Sequence, residues 1–155
     1  MKIDKKYIII KNKKAYHNFF IYKIFEAGLV LKGWEVKSLR KKKVNISNGY
    51  LCFKNNELYI INLNIEPINR NNNTIEYKNI RNIKILLKKN EINFLYGKYK
   101  TQGYALIAIC LYWKLSFCKL QIAIAKGKNT YDKRMHKKKQ EWEIQKKQIL
   151  KKNIK

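Results

Sequence analysis

Acid is the scarcest charge in this chain. Ten Asp and Glu stand against 36 Lys and Arg in 155 residues, a formal charge of +26. A compact chain so short of carboxylates repels itself, so a polyanionic partner is the natural explanation and nucleic acid the expected one. An AT-rich codon bias accounts for the abundance of Lys, Asn and Ile. It does not account for the missing acid, because Glu also has an AT-rich codon. Cysteine is sparse as well: Cys52, Cys110 and Cys118 are odd in number, lack metal-ligand spacing and sit in strand-like runs. They argue against a disulfide framework and for buried thiols in a reducing cytosol. Histidine is limited to His17 and His136, in different regions. No Ser/His/Asp or Cys/His pattern, Walker loop or dinucleotide fingerprint is visible, so catalysis, a cofactor and a metal are all unexpected. The longest apolar run, Tyr104–Trp113, is about half of what a membrane span needs. The run after the start, Tyr7–Ile10, is short and surrounded by lysines. No secretory signal is therefore expected, and the chain reads as cytoplasmic with no membrane partner.

What is present suffices for a core: 46% of residues are hydrophobic and 13% aromatic, enough for one domain. The expected division is a flexible N-terminus over 1–5, a barrel with helices over 6–125 and a basic tail over 126–155. Tyr7–Ile10 is a strand candidate, followed by the basic patch Lys11-Asn12-Lys13-Lys14. Tyr16, Phe19, Phe20 and Ile24 fall at helical spacings, which predicts a first helix over 16–25. Phe25-Glu26-Ala27-Gly28 reads as its end, with Gly28 in the left-handed conformation. Gly33–Arg40 then alternates large and polar side chains, as a half-buried strand does. Phe25–Arg40 is thus expected to be a helix-to-strand corner with a carboxylate at its hinge.

Beyond the corner, Val44–Ser47 and Gly49–Phe53 read as extended, and Asn55-Asn56 turns the chain into Leu58–Ile61 as a hairpin. The sole proline, Pro67, suits an edge or a strand end. Asn69–Asn73 is a polar loop, the best candidate for a mobile connection. After the apolar run Ile83–Leu87, the stripe Ile92, Leu95, Tyr96 and Tyr99 predicts a helix over about 89–98. Gly103 punctuates the chain before two long β-rich runs, Tyr104–Trp113 and Phe117–Ala125. The expected fold is mainly β with flanking helices, an OB-fold-like closed β-barrel.

From Lys126 the character changes. Residues 126–155 hold 12 Lys and Arg against 3 Asp and Glu. Met135, Trp142 and Ile149 fall seven apart, with Leu150 and Ile154 beyond, a stripe too thin to hold a helix on a core. A lone lysine-rich helix is marginal in water, so the tail is expected to be disordered alone and helical on a polyanion.

Aromatics interleave with lysines at Tyr96-Gly97-Lys98-Tyr99-Lys100 and Tyr112-Trp113-Lys114. That is the pairing wanted for phosphate contact plus base stacking, although most of these rings are expected in the core. Gly127 in Ala125-Lys126-Gly127-Lys128 lacks Walker spacing and reads as a strand end before a linker. Glu26 has two readings that the residues leave even. It either pairs with a nearby lysine, or accepts hydrogen bonds from base edges or a 2′-OH, which no lysine can do.

The order and spacing of several short motifs resemble the SsrA-binding protein (small protein B) family, the bacterial partners of transfer-messenger RNA. They are Asn12-Lys13-Lys14-Ala15, Phe25–Arg40, Val44-Asn45-Ile46-Ser47, Leu86-Leu87, Leu95-Tyr96-Gly97, Gly103-Tyr104, Leu111-Tyr112-Trp113-Lys114, Ala125-Lys126-Gly127-Lys128 and Asp132-Lys133-Arg134. The resemblance runs from about Asn12 to Leu150. It implies binding to the tRNA-like part of transfer-messenger RNA through Asn12, Glu26, Leu86 and Lys119. It also implies delivery of the alanyl-charged RNA, in complex with elongation factor Tu, to stalled 70S ribosomes, with no DNA partner. The tail would then lie at the decoding centre, against small-subunit rRNA, and along the empty messenger channel. Its functional elements would be Gly127, Lys128, Tyr131, Asp132, Lys133, Arg134, Trp142, Ile149 and Leu150.

Three positions depart from the family pattern. Asn129 stands where a second lysine is frequent, which removes one phosphate contact. Tyr131 stands where histidine is common; a stacking role survives that exchange and a protonation-dependent one does not. Lys88 lacks a polar cap side chain, so the following helix is expected to start weaker by about 1 kcal/mol. Two rival classes fit the charge: a structural ribosomal protein, and an RNA-modifying enzyme, against which the absence of paired acid/base groups counts.

Overall fold

The computed structural model describes residues 8–68 and 80–152. The expected N-terminal segment 1–5 and the loop Asn69–Asn73 lie outside the described residues. Strand β1 (Ile8–Lys11) leads into a short helix α1 (Lys13–Asn18), and the long strand β2 (Phe19–Leu29) follows at once. Helix α2 (Gly33–Arg40) comes next, then β3 (Val44–Asn45), β4 (Tyr50–Lys54), β5 (Glu57–Ile61) and β6 (Asn64–Ile65). The chain continues through β7 (Ile83–Leu86), α3 (Lys89–Lys100), β8 (Tyr104–Lys114), β9 (Phe117–Gly127) and α4 (Thr130–Lys152).

Seven strands form one sheet in the order β1-β8-β9-β2-β7-β5-β4, with β3 and β6 as a separate pair. Every pair in the seven-stranded sheet is antiparallel. The sheet curls enough to bring β4 against β8, and its inner face holds the core. Leu106, Ala108, Leu111, Leu120, Ile122 and Ile124 pack there with Leu58, Ile60, Ile83 and Ile85. Leu39 of α2 and Leu95 of α3 join them, each fully buried. The architecture is mainly β with flanking helices, as expected.

The corner Phe25–Arg40 runs the other way from the expectation: it is strand then helix. Residues 19–25 are strand because aromatic and β-branched side chains favour a pleated, half-buried surface. Gly28 sits within β2 rather than at a helix end; a Cβ there would come within 3.3 Å of Leu86 Cβ. The glycine therefore serves close side-chain approach across the β2–β7 pair. Gly33–Arg40 is helical because its buried residues, Glu35, Ser38 and Leu39, recur at helical spacing. No side chain of Lys32 caps it, but the Lys32 backbone N–H donates to Glu35 Oε2 at 2.6 Å.

Other local expectations hold. Asn55 and Asn56 both take positive φ, 51° and 59°, the conformation a two-residue hairpin turn demands. Helix α3 starts at Lys89 with Lys88 as an N-cap whose side chain makes no cap bond. Half a capping box replaces it, since Glu91 Oε2 accepts the Lys88 backbone N–H at 3.0 Å. Of the three cysteines expected to be buried, Cys110 and Cys118 are, whereas Cys52 is only partly so; burial pushes the Cys110 and Cys118 thiols up to about 11 and about 12. Thiols held that far above neutrality stay protonated and inert.

Candidate nucleic-acid interface

Two β-bulges decide what the outer face of the sheet presents. Strand pairing slips between Ile21 and Lys23 in β2, leaving Tyr22 extra, and between Ala108 and Cys110 in β8, leaving Ile109 extra. One inserted residue exchanges the two faces of everything beyond it. Past Tyr22, Phe25 and Ala27 therefore turn into the core, while Glu26 and Gly28 turn outward. Past Ile109, Leu111 turns inward and Tyr112 and Lys114 turn outward. The smaller cluster of Ile109, Cys110, Tyr112 and Ala123, with Ile8, Ile21 and Ile107 against it, packs on that outer side.

Glu26 and the Tyr112–Lys114 pair meet across β9. Lys114 Nζ donates to Glu26 Oε1 at 2.9 Å, and the Tyr112 hydroxyl donates to Glu26 Oε2. The Tyr112 bond, helped by Lys114, holds the Glu26 carboxyl below its ordinary value against a smaller opposing effect of burial. Burial first, then Glu26, pushes the Tyr112 phenol well above its ordinary range. Lys119 stands in register with both Gly28 and Tyr112 and adds to the positive field on Glu26. Leu86 pairs with Gly28 and is 50% exposed, an apolar side chain held at the surface. Leu86, Lys119 and Gly28 line a groove of about 440 Å³, together with Val36, Trp113 and Phe117.

Three of the four sequence-predicted RNA contacts, Glu26, Leu86 and Lys119, thus share one outward face. Asn12 is elsewhere and buried. Its Oδ1 accepts the Ala15 N–H at 3.3 Å, its Nδ2 donates to Ala108 O at 3.0 Å, and its backbone N–H donates to Ile109 O at 2.7 Å. These bonds cap α1 and seat it on β8, beside the basic Lys13 and Lys14. Sequence reasoning missed Tyr112 as a partner of Glu26. The signal was present: Tyr112 and Lys114 are two apart and so share a strand face. It also missed Arg81, which grips the buried Glu35 through Nε at 2.6 Å and Nη2 at 2.7 Å and reaches Val30 O at 2.9 Å. Glu35 is structural, its two oxygens taken up by Arg81 and the Lys32 N–H.

The tail leaves the sheet through a defined root. Gly127 ends β9 opposite Phe19. The Lys128 backbone N–H donates to Asn18 O at 2.8 Å, and its Nζ donates to Tyr16 O at 3.0 Å while lying 5.0 Å from the Phe20 ring centre. Asp132 Oδ2 accepts the Asn129 N–H at 3.3 Å, so the acid of Asp132-Lys133-Arg134 closes the first turn of α4. Tyr131, Met135, Trp142 and Ile149 are each more than half exposed along α4. Leu150 lies in the helix; its side chain, like that of His136, is outside the described residues. Among the described residues, no His/Cys/Asp/Glu group could hold a metal, and no helix is long and apolar enough to cross a membrane.

Known proteins match this arrangement along most of the chain. The family model described as SmpB protein matches residues 9–152. An SsrA-binding protein of Buchnera aphidicola subsp. Acyrthosiphon pisum (strain Tuc7) is 51% identical over 144 residues, covering 93% of this chain and 89% of the relative. Another, from Buchnera aphidicola subsp. Schizaphis graminum (strain Sg), is 47% identical over 146 residues, covering 94% and 90%. Among solved structures, a chain of "tmRNA-SmpB: a journey to the center of the bacterial ribosome" aligns with a TM-score of 0.64 and 34% identity. It covers 81% of this chain and 91% of that one. With sequence and fold in agreement, the chain belongs to the SmpB, or SsrA-binding protein, family.

Proposed function

We propose that this chain is an RNA-binding protein of trans-translation that binds transfer-messenger RNA and works with it on the stalled ribosome. The observation that carries the reading is the shared outward face of Glu26, Leu86 and Lys119, in a chain whose family relatives are named for binding this RNA. The sheet supplies a rigid platform. Lys119 meets phosphate, Leu86 offers apolar contact, and the Glu26 carboxylate, fixed by Tyr112 and Lys114, retains lone pairs for a base edge or 2′-OH. Asn12 supports the interface by seating α1. The RNA-facing part is the tRNA-like domain, the charged RNA travels with elongation factor Tu, and the whole process is cytoplasmic. Helix α4 engages small-subunit rRNA at the decoding centre and along the empty messenger channel. Binding rather than catalysis is the role.

Sequencing of the RNA that co-purifies with the tagged protein tests the reading; one dominant transfer-messenger RNA is expected. Full occupancy of unstalled ribosomes would instead favour a structural ribosomal protein. The tail has its own test. Deleting residues 132–155 should leave binding to transfer-messenger RNA nearly intact and abolish peptide tagging on stalled ribosomes. A truncated protein that still supports tagging would remove the decoding-centre role.

A further inference from the structure

We infer that Asn12 is a positioning residue: it clamps the β8 bulge that turns Tyr112 and Lys114 towards Glu26, and it acts on RNA only through that carboxylate. The inference rests on the functional reading above and adds how its acidic contact is held in place. Successive carbonyls of a regular strand point to opposite edges. At the bulge they do not. Ala108 O and Ile109 O both face Asn12, which donates its Nδ2 to the first at 3.0 Å and its backbone N–H to the second at 2.7 Å. One residue thus satisfies both carbonyls that the extra Ile109 leaves on a single edge. Asn12 Oδ1 meanwhile accepts the Ala15 N–H, and the residue is 6% exposed. Its polar atoms are turned into the protein and leave no surface for a direct RNA contact.

The clamp lies close to the carboxylate it controls. Just past the bulge, Cys110 pairs with Gln121 and Gln121 with Glu26. The three stand in one row across β8, β9 and β2, which spans about 10 Å at ordinary strand spacing. Cys110 Sγ donates to Oε1 of the buried Gln121 at 3.2 Å, tying the first two members of the row together. Tyr112 and Lys114 follow on β8, on the same face as Glu26. Were the extra residue drawn back into the ladder, both side chains would turn inward and Leu111 outward. Glu26 would then lose the two groups that fix it. Asparagine suits the clamp because its carbonyl caps α1 while its amide serves the strand. Serine and aspartate cap a helix equally well, but neither offers an amide donor.

The test uses the full chain. Asn12→Ser keeps a cap for α1 and removes the donor to Ala108 O. Carboxyl-carbon NMR follows Glu26 in the free protein, where Tyr112, Lys114 and Lys119 hold it below its ordinary 4.5. In the variant its titration should move up towards that value as Tyr112 and Lys114 withdraw. Affinity for full-length transfer-messenger RNA should fall about tenfold, the scale of the charge-assisted bond that Glu26 makes, with unchanged salt dependence. In a Glu26→Ala background the same substitution should weaken binding no further, since both changes act on one contact. Asn12→Asp, equal in size and also able to cap, sets a second acceptor against Ala108 O. It should lose affinity in the same non-additive way, which keeps the test decisive if the serine variant fails to fold. An unchanged Glu26 titration in the folded serine variant would overturn the inference and leave Asn12 a helix cap alone. Additive losses of affinity would overturn it as well and make Asn12 a direct RNA contact. Failure of the wild-type protein to bind this RNA would instead overturn the functional reading, while the Glu26 titration would still decide the clamp.

Discussion

Glu26 and Glu35 stand nine residues apart in the same corner, yet their surroundings give them different work. Glu35, at the start of α2, is 1% exposed and held by Nε and Nη2 of Arg81 and by the Lys32 N–H. Its oxygens are committed and sealed from solvent. Glu26, on the outer face of β2, keeps a quarter of its side chain exposed while Tyr112 and Lys114 fix its direction. One carboxylate locks a helix to a sheet; the other is aimed at solvent and preorganised. In a chain with so few acids, residue type alone does not separate the two roles. Burial and the reach of the partner do.

The largest break in this comparison should come from Arg81→Ala. It strands a buried carboxylate, a change that costs about 3–5 kcal/mol in folded proteins. Thermal unfolding should show that loss, while the RNA affinity of the protein that remains folded should be unchanged. Loss of affinity at full stability would mean that the Glu35 region is part of the interface. Glu26→Ala should do the opposite. Stability should fall by less than about 1 kcal/mol, since the pair is partly exposed, while RNA affinity drops about tenfold, the scale of a charge-assisted hydrogen bond. The salt slope should stay near wild type, whereas Lys119→Ala should lower it by about one unit. Equal slope changes in the two variants would dissolve that division of labour.

A smaller effect belongs to Ser38, one turn beyond Glu35. Its hydroxyl is buried and has no hydrogen-bond partner among the described residues. Ser38→Ala removes an unsatisfied polar group and raises helix propensity, so stability should rise by up to about 1 kcal/mol. A loss measured by denaturant unfolding would show that the hydroxyl has a partner in solution.

How far the sequence revealed this arrangement depended on the range of the forces involved. The hairpin at Asn55-Asn56 was legible because two asparagines in a row tolerate the positive φ that they adopt. The long runs of β8 and β9 were legible from their apolar length. Strand β2 was not, because the bulge at Tyr22 breaks its period-two pattern, and Phe19, Phe20 and Ile24 fall at accidental helical spacings from Tyr16 of the preceding helix α1. Helix α2 was hidden because its N-cap is a lysine and its main anchor, Arg81, lies 46 residues away from Glu35. The interface followed the same rule. Family motifs pointed to Glu26, Leu86 and Lys119, but the strand slip at Ile109 that turns Tyr112 and Lys114 towards Glu26 is visible only in the paired sheet.

The finest test of the two carboxylates is pH. Tyr112 and Lys114 hold the Glu26 carboxyl below its ordinary value of 4.5 in the folded protein. A depressed folded value means that the carboxylate stabilises the fold above about pH 4.5, and that this contribution is lost as pH falls through the lower folded value. Glu57, also held low by Lys84 and Tyr59, titrates in the same direction, so the comparison must be between variants rather than across pH alone. The stability gap between wild type and Glu26→Gln should therefore be small and constant near neutrality, under about 1 kcal/mol after solvent screening, and should close below pH 4.5. Calorimetric unfolding of both proteins across that window measures it. A gap that persisted at low pH would mean that the Tyr112 and Lys114 bonds do not depend on the charge of Glu26.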